Sequence, residues 1–161
     1  MLRKRTTIVA CVLVGVAAML TTAVIAIASS GPELTGPQTI QVKAVGGHAT
    51  ILPLNPNKNS FFGDEFVING PLWNWAQTAK VGRIHAECTF MDVKGIAADC
   101  TGTFFLAQGQ IVARGLVNFN RANRTPGSIL GGSQMYRNAR GDVTFVNSTG
   151  NVEGFIFDLE P

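Results

Sequence analysis

The sequence predicts an all-β domain, a sandwich or a closed barrel, behind an N-terminal apolar segment. Three observations predict it. From Gln38 onward apolar residues recur with a period of two, and no window carries a helical stripe. Gly, Pro and Asn divide that region into seven or eight short strands. A long uncharged run, residues 6–28, follows directly on Arg3, Lys4 and Arg5.

That N-terminal run has the three-part layout of a secretory signal: basic residues, an apolar stretch, then Ala26-Ile27-Ala28 before Ser29-Ser30, small residues that suit a signal peptidase. It is also long enough to cross a bilayer, which takes about 20 residues. Residues 1–28 are therefore expected to be a signal peptide or an uncleaved anchor helix, and both place the domain outside the cell. Residues 29–37 read as a flexible lead with two Gly-Pro turns.

The charge balance follows from the same segment. The chain has 13 Lys and Arg against 10 Asp and Glu, a formal +3. Arg3, Lys4 and Arg5 carry the whole excess, so the rest of the chain is balanced and offers nucleic acid no net attraction. Membrane contact is expected only through residues 6–28, if they are retained.

Residues 38–161 make one domain. The expected strands are Thr39–Val45, Asp64–Asn69, Val81–Asp92, Ile96–Ala107, Gln110–Phe119, a short one near Ser128–Leu130, Asp142–Asn147 and Glu153–Leu159. Two hairpins can be registered from their turns. A three-residue loop Val93-Lys94-Gly95, with Gly95 left-handed, sets Cys88 opposite Cys100. A two-residue turn Gln108-Gly109 sets Ala98 opposite Phe119, Cys100 opposite Val117, Gly102 opposite Gly115, Phe104 opposite Ala113 and Leu106 opposite Ile111. Together with Ile84, Ala86, Cys88 and Phe90 these residues form one apolar face across three strands, and a slip of one residue would invert it. Its small residues, Ala86, Gly102 and Gly115, either leave room for a ligand inside a barrel or permit strong strand curvature. Phe90 and Phe104 lie on this face.

Cys11 falls in the export segment. The remaining pair, Cys88 and Cys100, directly opposed in an oxidising compartment, is expected to form a disulfide. A redox role is disfavoured, because the spacing is not CxxC and an apolar setting raises a thiol pKa. With only His48 and His85, and no cluster at ligand spacing, no metal site is expected. Nucleotide-binding and nucleophile-elbow motifs are absent, and no cofactor is expected. His85, Glu87, Thr103 and Arg114 fall on the opposite face, His85 across from Thr103 and Thr103 across from Arg114. They offer an acid–base pair with an anion clamp, but an ordinary polar outer face explains them as well. Trp73 and Trp75, in a connection between strands, either line a barrel mouth or plug it. Tyr136, the sole tyrosine, lies in the Gly131–Gly141 turn region.

Several segments resemble the allene oxide cyclase/dirigent superfamily, in particular its small secreted bacterial members. They are Gly63-Asp64, Leu72-Trp73-Asn74, Lys80-Val81-Gly82, Cys88-Thr89, Cys100-Thr101-Gly102-Thr103-Phe104, Gly109-Gln110-Ile111, and Ile129-Leu130-Gly131-Gly132-Ser133 with Tyr136-Arg137-Asn138-Ala139-Arg140-Gly141. The last is similar to a G-G-[ST]-G-x-[YF]-x-x-A-x-G signature, with Gln134 where the family has glycine. The resemblance implies a closed eight-stranded antiparallel barrel with an apolar lumen, a homodimer or homotrimer, and no cofactor. It also implies an isomerase-like or dirigent-like role: binding a small hydrophobic molecule, or guiding its cyclisation or stereoselective coupling, largely by proximity. Asn69 corresponds to a polar residue at the cavity mouth. The glutamate that plant cyclases carry on the first strand has no counterpart, since residues 38–63 contain no Asp or Glu. The expected ligand-cavity residues are thus Asn69, Trp73, Phe90, Phe104 and Tyr136, with the catalytic residues open. The rival expectation is a barrel filled by its own side chains, serving as a structural or interaction module at the cell surface.

Overall fold

The computed structural model describes residues 33–54, 56, 59–119, 124–147 and 152–160. The signal or anchor segment and residues 29–32 of the lead lie outside them. Within them the chain forms nine strands and no helix: β1 (Gln38–Val45), β2 (His48–Leu52), β3 (Glu65–Asn74), β4 (Lys80–Phe90), β5 (Ala97–Leu106), β6 (Gly109–Asn118), β7 (Arg124–Gln134), β8 (Arg140–Asn147) and β9 (Val152–Glu160). All pairings are antiparallel, in the order β1-β9-β8-β7-β6-β5-β4-β3-β2, and β1 also pairs with β3. That last pairing closes an eight-stave barrel, because β1 and β2 are two halves of one stave. Both pair with β3, β1 at Leu72–Asn74 and β2 at Glu65–Asn69. The stave breaks at Gly46-Gly47. Gly46 has φ of +69°, and Gly47 passes so close to Gly70 that a Cβ on Gly70 would lie 2.7 Å from the Gly47 Cα.

The β4–β5 register agrees with expectation. Gly95 is left-handed, with φ of +67°, and Cys88 stands opposite Cys100. The two form a disulfide with a Cα–Cα separation of 4.1 Å. Asp92 fixes the turn between these strands: its carboxylate accepts the backbone N–H groups of Lys94 (2.8 Å), Ile96 (3.0 Å) and Ala97 (2.5 Å). These bonds, that from Ala97 foremost, hold its pKa below the ordinary carboxylate value.

The β5–β6 register differs from expectation by two residues. The turn is Ala107-Gln108, so Ala98 faces Val117, Cys100 faces Gly115, Gly102 faces Ala113, Phe104 faces Ile111 and Leu106 faces Gly109. Gly109 belongs to β6 because of its neighbour on β7: a Cβ there would lie 2.3 Å from the Ser133 carbonyl oxygen. An even shift leaves every side chain on its own face, so the inner surface is the expected one. The outer face changes partners, and Arg114 stands opposite Thr101, not Thr103. β3 is also longer than expected: Trp73 is a strand residue, and Trp75 opens the turn after it.

The interior is layered. Phe104 packs at its centre against Phe155 and Phe157, at ring-centroid distances of 4.8 and 4.7 Å. Leu72, Ile111 and Val143 are fully buried around them. At the end where β5 turns into β6, called the upper end, Tyr136 is buried and its phenol donates to Gln108 Oε1 at 3.0 Å. Of the expected flexible lead, residues 33–37 lie within the described structure, and they are tied down. Leu34 is buried, its N–H donates to the Met135 carbonyl at 3.1 Å, and the Asn138 amide donates to the Glu33 carboxylate. At the lower end, where β4 turns into β5, Phe61, Phe66, Phe90 and Phe119 form a connected aromatic group.

Candidate functional site

The inner face of β9 brings an ionisable group into the lumen. Along Val152–Glu160 residues 154–157 are all buried, but Phe155, Phe157 and Leu159 stand at every second position and belong to the core, and Glu153 shares their parity. Its register partner on β1, Ala44, is buried on the inner face. Glu153 therefore faces a narrow cavity in the lower lumen together with Ile84, Cys88, Cys100, Phe104, Phe119 and Phe145, and it is the one ionisable group among the residues lining that cavity. Burial away from water raises its pKa above the ordinary carboxyl value. A carboxyl group that stays protonated to higher pH, beside aromatic rings and a disulfide, can donate a proton to a developing oxyanion and recover one from carbon.

The cavity is small. Its free volume is about 20 Å³, room for roughly one water molecule. Larger depressions lie elsewhere. One of about 410 Å³ opens at the upper end, lined by Ile40, Val42, Val81, Leu106 and Tyr136. Another, of about 460 Å³, lies on the outer wall between Leu52 and Arg114. The outer one is a solvated sheet face on which the Arg114 guanidinium donates to both Asp99 carboxylate oxygens, one bond at 3.1 Å. Those bonds hold the Asp99 pKa below its ordinary value. Size alone therefore does not identify the chemistry, and the half-buried carboxyl group, desolvated by its apolar surroundings, marks the lower lumen.

The five expected cavity residues separate. Phe104 lines the cavity with Glu153. Phe90 is buried in the aromatic group at the lower end. Tyr136 is buried at the upper end, and burial raises its phenol pKa. Asn69 is exposed on the outer face, between His48 and His85 in register. Trp73 is half-buried, and its indole N–H is enclosed without a hydrogen-bond partner among the described residues. Trp75 lies across Gly154, with Lys43 Nζ 4.8 Å from its ring centroid. The outer-face quartet does not assemble either. His85 Nε2 is 3.7 Å from Glu87 Oε1, both side chains exposed, while Arg114 turns to Asp99. Among the described residues no group of His, Cys, Asp and Glu could hold a metal ion.

Comparison with known proteins places the fold. No family model matches the chain, and no curated protein matches it in sequence. Solved structures do. A pyocyanin demethylase superposes with a TM-score of 0.62 at 22% identity, covering 76% of this chain and 99% of its own. Two pterocarpan synthase dirigent proteins each superpose with a TM-score of 0.59. One is 18% identical, covering 78% of this chain and 84% of its own, and the other is 15% identical, covering 77% and 94%. The chain shares the allene oxide cyclase/dirigent-like barrel fold of these proteins.

Proposed function

We propose that this barrel receives a small hydrophobic molecule in its lower lumen and guides its cyclisation, isomerisation or coupling, with Glu153 as the proton-transferring group. The observation that carries the reading is a single desolvated carboxyl group on an otherwise apolar lumen wall. Burying a carboxyl group without an ionic partner opposes folding, and such departures from the core pattern concentrate at functional sites. The fold neighbours act on small molecules by their names, a demethylase of pyocyanin and synthases of pterocarpans. Phe104, Phe119 and Phe145 shape the space, and proximity supplies most of the rate. The chemistry needs no metal or nucleotide. We further read the protein as exported through residues 1–28 and self-associating as a homodimer or homotrimer.

A specific observation favours a second reading. A free volume of about 20 Å³ is what a barrel filled by its own side chains would have. On that reading the domain is a structural or interaction module.

Titration with an apolar fluorescent probe separates the two. Saturable one-site binding, altered when Glu153 is replaced, supports the ligand-guiding barrel. Absence of saturable binding in the wild type overturns it. N-terminal sequencing of the mature protein tests export with cleavage after Ala28, and sedimentation tests self-association.

A further inference from the structure

The upper end of the barrel carries a strand edge that no described residue covers. β1 pairs with β9 along its whole length, from Gln38 to Val45, but with β3 only at residues 42–44. β3 goes no further because its chain is turned there. The Asn74 N–H donates to the Ala79 carbonyl (2.9 Å), and the Gln77 N–H donates to the Asn74 carbonyl (2.8 Å), with Gln77 left-handed at φ of +60°. The Asn74 side-chain oxygen accepts the N–H groups of Thr78 (2.8 Å) and Ala79 (3.3 Å). Asn74 is thus committed to the turn, and the lane beside residues 38–41, into which β3 would have run, holds no strand among the described residues.

The same turn sets which backbone groups face that lane. In an antiparallel ladder, successive residues direct their N–H and C=O to opposite sides of the strand. Asn74 directs its own toward β4, so Trp73 directs its own toward β1, and its register partner Lys43 toward β3. Stepping by two along β1, Gln41 and Thr39 each direct one N–H and one C=O into the empty lane, while Gln38 and Ile40 turn theirs to β9. Among the described residues these four groups of Thr39 and Gln41 have no bonding partner. Proteins commonly guard such an edge with lysine, proline or a bulge, and Gln38-Thr39-Ile40-Gln41, with its unbroken register to β9, carries none of these.

The lane also has a floor. The depression of about 410 Å³ at this end is lined by residues 38–42 in unbroken succession, as a space along a strand edge must be, and across from them by Val81, Leu106 and Gln108. Ile40, Val42, Val81, Leu106 and Tyr136 make the floor largely apolar. An apolar small molecule would suit the floor and leave all four backbone groups unmet. An extended peptide suits both, because its own donors and acceptors recur on one side every second residue, about 7 Å apart.

We infer that the upper edge of β1 is a binding site for an extended peptide segment of another protein, one that alternates apolar with polar side chains and adds as a strand in the lane left by β3. Four residues, spanning about 14 Å, fill it. Their apolar side chains descend on Ile40, Leu106 and Tyr136. The site is separate from the Glu153 cavity and does not rest on the function proposed above.

The test follows amide hydrogen exchange, residue by residue, on the full chain with synthetic pentapeptides that alternate Val or Ile with Thr and are capped at both ends. Binding slows exchange at Thr39 and Gln41 and leaves Gln38 and Ile40, already bonded to β9, unchanged. Gln41→Pro removes one donor at an edge that tolerates proline, so the barrel stays folded by circular dichroism and affinity falls about ten-fold. Gln41→Ala, which keeps the N–H, binds as the wild type does. Methylating one alternate set of peptide nitrogens abolishes binding and methylating the other set does not, a distinction that needs no change to the protein and so holds even if Gln41→Pro fails to fold.

Equal binding by both methylated sets overturns the proposal and leaves an apolar pocket only. Unchanged exchange at Thr39 and Gln41 with every peptide overturns it as well. So does slow exchange at both positions without peptide: if it depends on protein concentration the edge belongs to a second copy, and if it does not, to another segment of this chain.

Discussion

Glu153 on β9 is the register partner of Ala44 on β1, the last inward residue before that stave breaks at Gly46-Gly47. This pairing turns an acidic side chain into the lumen and gives stability a defined pH dependence. Burial raises the carboxyl pKa in the folded protein, so the folded chain holds its proton where the unfolded chain has released it. Stability is therefore fully present below the unfolded pKa and is lost as pH rises through the folded value. Urea midpoints across that range should show the wild type weakening relative to Glu153→Gln, with the variant the more stable at neutral pH. A constant difference at all pH values would show that the carboxylate is well solvated.

The Cys88–Cys100 bridge joins residues 12 apart in sequence. On the chain-entropy estimate, closing a loop of that size contributes on the order of 3 kcal/mol. Replacing both cysteines with alanine should lower the unfolding free energy by about that amount with the β4–β5 turn intact, because Asp92 holds it independently. Denaturant unfolding measures the loss, and amide exchange at Lys94, Ile96 and Ala97 reports the turn.

Gly115 sits where three groups converge. A Cβ there would lie 2.6 Å from Phe145 Cε2 and 3.0 Å from the Gly127 Cα. Gly115→Ala should cost about 1–3 kcal/mol by overpacking. Adding Phe145→Leu should recover part of that loss, and a double-mutant cycle by thermal unfolding would show the coupling. Purely additive effects would mean that the ring moves aside without cost.

Phe104 fills the middle of the lumen against Phe155 and Phe157. Phe104→Ala should cost about 3–5 kcal/mol while enlarging the space beside Glu153. Calorimetric titration with benzene should detect tighter binding to the variant than to the wild type. No gain would mean that neighbouring side chains collapse into the vacated volume.

How far the sequence could be read depends on how local each determinant is. Cys88 and Cys100 could be aligned because one short loop with a glycine sets their register, and the inner face of β4, β5 and β6 followed from parity alone. Gly109 misled because its role is non-local: it makes room for the Ser133 carbonyl on β7 and does not form the turn. β2 gave no signal, since its five side chains are all exposed and do not alternate. Trp73 belongs to β3 because β1 and β4 pair on both sides of it, which no local motif records. Glu153 was within reach, since it shares the parity of Phe155, Phe157 and Leu159. A pattern rule that sends acidic residues outward passes over the departure that marks the site.

The closing seam has its own significance for motion. β1 and β3 meet through only three residue pairs, Val42 with Asn74, Lys43 with Trp73 and Ala44 with Leu72. Every other neighbouring pair of strands has a longer ladder. The least costly fluctuation of such a cylinder is to unzip along that line, below the threshold for global unfolding. Glu153 stands one strand away from it. Under the ligand-guiding function proposed above, that line is where a molecule larger than the resting interior would enter, and the breathing rate of three residue pairs would set how often the acid inside meets a guest.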